Sequence, residues 1–217
     1  MSAAVPTLLD TPLSHEAQVR ALQDVGALFY QRGWSVGTSS NYSVVLSRDP
    51  LRLLVTASGK DKRRLTDEDF VVVDEAGKPL DADGPPASAE TLLHVVAARQ
   101  PGVGAVLHTH SVWSTVLTDD GTRAIDIDGY EMLKGLAGVT THETRVHLPV
   151  FENTQDIPAL ARQVKAAFTT TREPPRYGYL IRRHGLYTWG RDLNEARRHV
   201  EVLEFLLEVL GRRRGMR

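Results

Sequence analysis

Apolar residues recur along this chain with two periods, and the switches between them outline the fold. Val19, Leu22, Val25, Leu28 and Phe29 share one helical face, and Gly33 is a natural stop for that helix. Residues 42–46, 51–56 and 70–73 are short runs rich in β-branched side chains and separated by turn residues, which predicts three strands. Pro85-Pro86 then precedes Ser88, a good N-cap, and residues 91–99 continue as a helix. Gly104 to Leu107 reads as a buried strand that runs out into His108-Thr109-His110.

The second half alternates in the same way. A short helix is expected over 112–117 and another over 129–136, with Gly135 and Gly138 near its end. A strand over 146–150, an amphipathic helix over 157–168 and a strand over 177–181 follow. Arg183-His184-Gly185 turns into a strand over 186–189, and a closing helix over 194–210 is capped near Asp192. Mixed hairpin and helical connections favour one mixed sheet with helices on both faces. No repeat or linker divides the chain, so 1–217 is expected to be one domain, with residues 1–14 a loose N-terminal segment.

The most informative segment is His108-Thr109-His110. Positions two apart on a strand point to one face with Cα atoms roughly 6.5–7 Å apart, a span across which two imidazoles can converge on one ion. The chain has no cysteine, so any metal must be held through nitrogen and oxygen. A third nitrogen is then needed. His15, His94 and His199 fall in predicted helices and read as surface or packed residues, whereas His142 and His147 lie near a strand start and stay open. His184 is the better candidate, at a hairpin tip and followed by Gly185, where a glycine permits close backbone approach or positive φ.

A formal net charge of −1 gives no reason to expect nucleic acid or an anionic membrane as partner. Residues 1–11 lack the pattern of a signal peptide and no apolar run spans a bilayer, which points to the cytoplasm. Three polar loops could hold an anion: Gly37-Thr38-Ser39-Ser40-Asn41, Thr56-Ala57-Ser58-Gly59-Lys60 and Ser88-Ala89-Glu90. Together they suggest a small phosphorylated substrate. Two carboxylates are candidates for proton transfer. Glu90 opens a helix. Glu131 lies in the mostly apolar segment 129–135, which would raise its pKa toward neutrality if it is buried; the alternative is an exposed acid paired to Lys134.

Taken together, these pieces resemble the class II aldolase/adducin family from about Val19 to Leu210. Its carriers are the three loops above, His108-Thr109-His110-Ser111 and Arg183-His184-Gly185, with Ser58-Gly59-Lys60-Asp61-Lys62, Glu131-Met132-Leu133-Lys134-Gly135 and Glu152-Asn153-Thr154 looking specific to its dehydratases. The resemblance implies a three-layer αβα sandwich around a mixed, largely antiparallel central sheet, usually assembled as a homotetramer. It implies one zinc ion (iron(II) or another divalent ion being the alternatives) on His108, His110 and His184. Substrate phosphate would lie at Asn41, Ser58, Gly59, Lys60 and Ser88.

The acid/base residue of the dehydratases corresponds to Glu131 and that of the aldolases to Glu90; some dehydratases have cysteine at the latter position, so both carboxylates are kept as catalytic candidates. The activity implied is removal of water from a phosphorylated, methylthio-substituted ketose in methionine salvage. The alternatives are aldol cleavage of a short sugar phosphate and, further off, a non-catalytic adducin-like interaction module.

Overall fold

A computed structural model describes residues 14–215. Helix α1 (His15–Gln31) starts where the Ser14 hydroxyl accepts a hydrogen bond from the Ala17 amide, and it buries Val19, Leu22, Val25 and Phe29. Gly33, at φ 75°, turns the chain away from it. Strands β1 (Asn41–Arg48), β2 (Leu51–Thr56) and β3 (Phe70–Val73) form an antiparallel meander. Then come α2 (Thr91–Ala98), β4 (Ala105–Thr109) and α3 (Val112–Val116). The remaining elements are β5 (Ala124–Ile127), β6 (Val146–Phe151), α4 (Ile157–Thr170), β7 (Gly178–Ile181), β8 (Gly185–Gly190) and α5 (Leu193–Gly215).

All eight strands join one sheet in the order β3-β2-β1-β4-β8-β7-β6-β5. Every neighbouring pair is antiparallel except β6 and β7. Strand alternation divides the core in two. Val106, Tyr179, Ile181, Tyr187 and Trp189 face α2 and α4 on one side, with Leu93, Val96, Leu160 and Val164. Ala105, Leu107, Tyr42 and Val44 face α1 and α5 on the other, with Phe29, Ala196 and Val200. The result is the expected αβα sandwich. The loose N-terminal segment expected over 1–14 lies outside the described residues but for Ser14.

Three expectations are corrected. Residues 129–136 form no α-helix but a 3₁₀ turn over Glu131–Gly135. Gly129 adopts φ 75°, and Gly135 packs so closely on α5 that a Cβ there would collide with Val202, so the backbone follows the packing. Strand β5 was not expected; its Ile125 and Ile127 are buried while Asp126 is exposed. Ser88 does not cap α2. It lies two residues too early, its hydroxyl accepting from the Glu90 amide at 3.2 Å, and Glu90 itself occupies the cap position.

Candidate metal centre and its cleft

β4 pairs with β1 on one side and β8 on the other, with Asn41 and Tyr187 both opposite His108. His108 and His110 therefore project on the α2/α4 side of the sheet, together with Asn41. The β7–β8 hairpin brings His184 to the same place. Arg183 takes φ 52° at its tip, and its amide donates to Thr118 Oγ1 at 2.9 Å. Arg182 holds the hairpin from behind, donating to the carbonyls of Thr118 and Thr122 and to Glu152. Gly185 is needed for close approach rather than for positive φ: a Cβ there would fall on the Thr109 carbonyl and lie 2.9 Å from His108 Cε1.

The Nε2 atoms converge: His108 to His110 is 2.7 Å and His108 to His184 is 3.3 Å. Glu90 completes the group, one carboxylate oxygen 3.2 Å from His184 Nε2 and the other 3.5 Å from His108 Nε2. One donor atom from each of these four residues lies within 4.8 Å of the other three. Tetrahedral coordination at Zn–N and Zn–O lengths of about 2.0–2.2 Å sets donors roughly 3.4 Å apart. The donor chemistry fits as well. His108 Nδ1 lies 3.0 Å from the Leu186 carbonyl, which only accepts, so Nδ1 carries the hydrogen and Nε2 keeps its lone pair.

Burial, reinforced by the neighbouring imidazoles, holds His108 well below the usual histidine range. Burial with the His184 charge takes His110 down to about 3. Both rings are therefore neutral near pH 7, the form that metal ligation requires.

Several side chains outside this group fix it. Asn41 Nδ2 donates to the Glu90 carboxylate at 2.9 Å. Asn41 Oδ1 is bonded to Nε2 of the fully buried His94, whose Nδ1 meets Ser43 Oγ at 2.8 Å. The amide oxygen accepts, so His94 Nε2 carries the hydrogen and Nδ1 accepts from the serine. Tyr187 stacks on His108 with centroids 3.9 Å apart, and burial plus the Glu90 charge pushes its phenol far up. His184 Nδ1 faces Asn153 Oδ1 at 3.4 Å. The sequence reading gave no role to His94, Tyr187 or Asn153, although Asn153 lies in a quoted segment.

The cluster sits at the edge of a cleft of about 320 Å³ that is also lined by Ser40, Asn41, Ser58, Gly59, Ser88, Asn153 and Gln155. The isolated bridge Ala57–Ala87 and a bond from the Ser58 amide to the Pro86 carbonyl hold two of the polar loops side by side. Four of the expected phosphate contacts thus meet. Lys60 does not join them: its ammonium is 2.7 Å from Asp69 and does not line the cleft. Lys62 goes inward instead, almost fully buried, its ammonium on the Lys60 carbonyl and lowered to about 8 by burial.

Glu131 is the larger departure. Its side chain is 71% exposed, 2.5 Å from Lys134, and does not line the cleft. The Lys134 ammonium lowers its pKa, the reverse of the shift expected for a buried acid. His142 and His147 are engaged by acids at the surface, and His199 is buried against the Trp189 carbonyl. None of these belongs to the cluster.

The fold and this site define a class of protein: a three-layer α/β domain in which three histidines and one glutamate, a set able to hold a metal ion, converge beside a hydroxyl- and amide-lined cleft. Residues 20–210 match the family described as Class II Aldolase and Adducin N-terminal domain, and the chain belongs to it. The particular relatives follow from sequence. The chain is 47% identical to the methylthioribulose-1-phosphate dehydratase of Marinobacter nauticus, over 87% of this chain and 90% of that protein. It is 48% identical to the enzyme of the same name from Pseudomonas aeruginosa, over 90% and 94%. Among solved structures, L-fuculose-1-phosphate aldolase from Thermus thermophilus superposes with a TM-score of 0.68 at 26% identity, covering 90% of this chain and 94% of that one.

Proposed function

We infer that this protein is a hydro-lyase that converts 5-methylthioribulose 1-phosphate to 2,3-diketo-5-methylthiopentyl 1-phosphate and water, a step of methionine salvage. The reading rests on the convergence of three imidazole Nε2 atoms and Glu90 on one point beside the hydroxyl-lined cleft, in a chain whose relatives bear that name. His108, His110 and His184 would hold one divalent ion, for which zinc suits the nitrogen and oxygen donors. A bound ion would supply Lewis acidity to the ketone, which would make the neighbouring C3 hydrogen removable near neutral pH.

The residues of the chain do the rest. Asn41, Ser58, Gly59 and Ser88 take the phosphate and fix the far end of the substrate, which contributes orientation. Glu90, held by Asn41 against the imidazoles, is the carboxylate that lines the cleft in the same chain. Glu131 is the acid/base group that moves a proton between C3 and the departing C4 hydroxyl. It acts in the site of a neighbouring copy, since in its own chain it faces solvent. Exposed Val112, Val116, Met132 and Phe205 lie on α3, the 3₁₀ turn and α5, and support self-association of that face, as a homotetramer.

No helix among the described residues is long and apolar enough to cross a membrane, which accords with a cytoplasmic enzyme of small molecules. The position of Glu90 favours aldol cleavage of a sugar phosphate as the second reading, because that reaction needs only the carboxylate already in the site.

Turnover of 5-methylthioribulose 1-phosphate by purified protein decides between them. Diketone should form and cease on chelation, to return with zinc. An aldehyde product, or none, overturns the dehydratase reading.

A further inference from the structure

We propose that Glu204 is a positioning residue for the metal centre: from α5, on the opposite side of the sheet, it grips Thr109 and so sets where His110 points. The proposal rests on the metal-centre reading above but not on the identity of the substrate.

The three imidazoles are not held equally. His108 Nδ1 is tied to the Leu186 carbonyl and His184 Nδ1 faces Asn153. Among the described residues, no hydrogen bond holds His110 Nδ1, so the place of that ring depends on its backbone. That backbone is where β4 leaves the sheet. The ladder to β8 ends at Thr109 opposite Leu186, and at His110 only the amide remains tied, donating to the Trp34 carbonyl at 2.7 Å. One residue later Ser111 begins α3 as its N-cap. A strand end with one backbone tether can still rotate about its own axis, which would swing His110 away from His108.

The side chain between the two ligands prevents that rotation. Thr109 projects to the α1/α5 face, as alternation requires, and its Oγ1 donates to Glu204 Oε1 at 2.6 Å, both groups fully buried. α5 is a 23-residue helix anchored along the sheet by Ala196, Val200, Leu203 and Leu207, so the acceptor is rigidly placed.

Glu204 reaches only the hydroxyls of Thr109 and Ser111, the two residues that flank His110. Its Oε2 has no hydrogen-bond partner. Burial raises its pKa to about 7, offset only by the Ser111 and Thr109 hydroxyls, and no salt bridge is formed with it among the described residues. A carboxyl buried without a counter-charge is unfavourable for folding by itself. Its one short bond goes to the residue between two metal ligands.

The test measures metal affinity directly, by competition between the protein and a chromophoric chelator for zinc, alongside the visible spectrum of the cobalt(II)-loaded protein and the Tm of the metal-free protein. Thr109→Val keeps the side-chain shape and removes the donor, and Glu204→Leu removes the acceptor from the other side. Each should weaken zinc binding about 10-fold or more, the usual range for groups that orient metal ligands, and change the cobalt(II) spectrum. Thr109→Ser and Glu204→Gln keep a donor and an acceptor and should restore most of that affinity.

A fall in Tm with zinc affinity and cobalt(II) spectrum unchanged would make Glu204 structural only and overturn the proposal. Loss of affinity in Glu204→Gln as great as in Thr109→Val would overturn it too, since a neutral acceptor should suffice. Because zinc binding is read without substrate, these outcomes stand apart from any failure of the dehydratase assay.

Discussion

Acidification from pH 7 to pH 5 should destabilise the metal-free protein, and a definable part of that loss belongs to His94. This imidazole is fully buried, donates from Nε2 to Asn41 and accepts at Nδ1 from Ser43, so its folded form is the neutral one. Burial takes its pKa from 6.5 down to about 3. The sign follows directly: the unfolded chain binds a proton below pH 6.5 that the folded chain refuses until about pH 3, so stability is full above 6.5 and falls as pH drops below it. At pH 5 the folded form is still neutral, and the loss is set by the 1.5 units between 6.5 and 5, or about 2 kcal/mol at 1.36 kcal/mol per unit.

His108 and His110 are depressed as well and add to the acid loss, so the wild-type slope alone is not diagnostic. The measurement is therefore a double difference. Urea unfolding of the metal-free wild type and of His94→Gln, at one protein concentration and at both pH values, should show the variant losing about 2 kcal/mol less between pH 7 and pH 5. Equal losses with equal m-values would mean that His94 is protonated in the folded state, and the hydrogen-bond directions assigned to Asn41 and Ser43 would be wrong.

Gly185→Ala should separate β8 from β4 by driving a methyl group into the Thr109 carbonyl and against His108. Overpacking of this kind costs about 1–3 kcal/mol or more, a Tm drop of at least several degrees, with zinc affinity falling further because two ligands lie on either side of the contact. A variant with unchanged Tm and zinc affinity would contradict the close approach. Glu131→Gln should fold and load metal normally yet lose about 10²–10⁴-fold in dehydration rate, read from steady-state turnover and metal content. If turnover survives while Glu90→Gln is inactive, Glu90 is the acid/base group. Mixed assemblies of Glu131→Gln and His110→Ala, each inactive by itself, should regain turnover on subunit exchange. Absence of recovery would place Glu131 outside the neighbour's site.

Much of the candidate metal centre is legible in the sequence. Strand alternation predicts that His108 and His110 share a face, although β4 itself ends at Thr109, and the glycine after His184 marks a place where backbones approach. The helices with a clean apolar stripe, α1 and α4, fall where their pattern puts them. Strand β5 escaped because its two buried isoleucines alternate with aspartates at the sheet edge, where local composition resembles a loop. The segment 129–136 is expected as a helix ending near Gly135 and Gly138, yet close packing of Gly135 on Val202 accompanies a 3₁₀ turn instead.

The chain by itself determined which side chains are capable of the chemistry: imidazoles in place of thiolates, polar loops carrying hydroxyls and Lys60, and two carboxylates. Distances along the sequence say nothing about which charged groups pair across it. That is why only the tertiary structure turned Lys60 to Asp69 and left Glu131 in solvent. It also set Glu90 between His108 and His184, and revealed His94 and Glu204 behind the ligands. Local periodicity reports which face a residue occupies, whereas the identity of its partner depends on elements brought together from more than seventy positions away, as with His108 and His184 at a separation of 76.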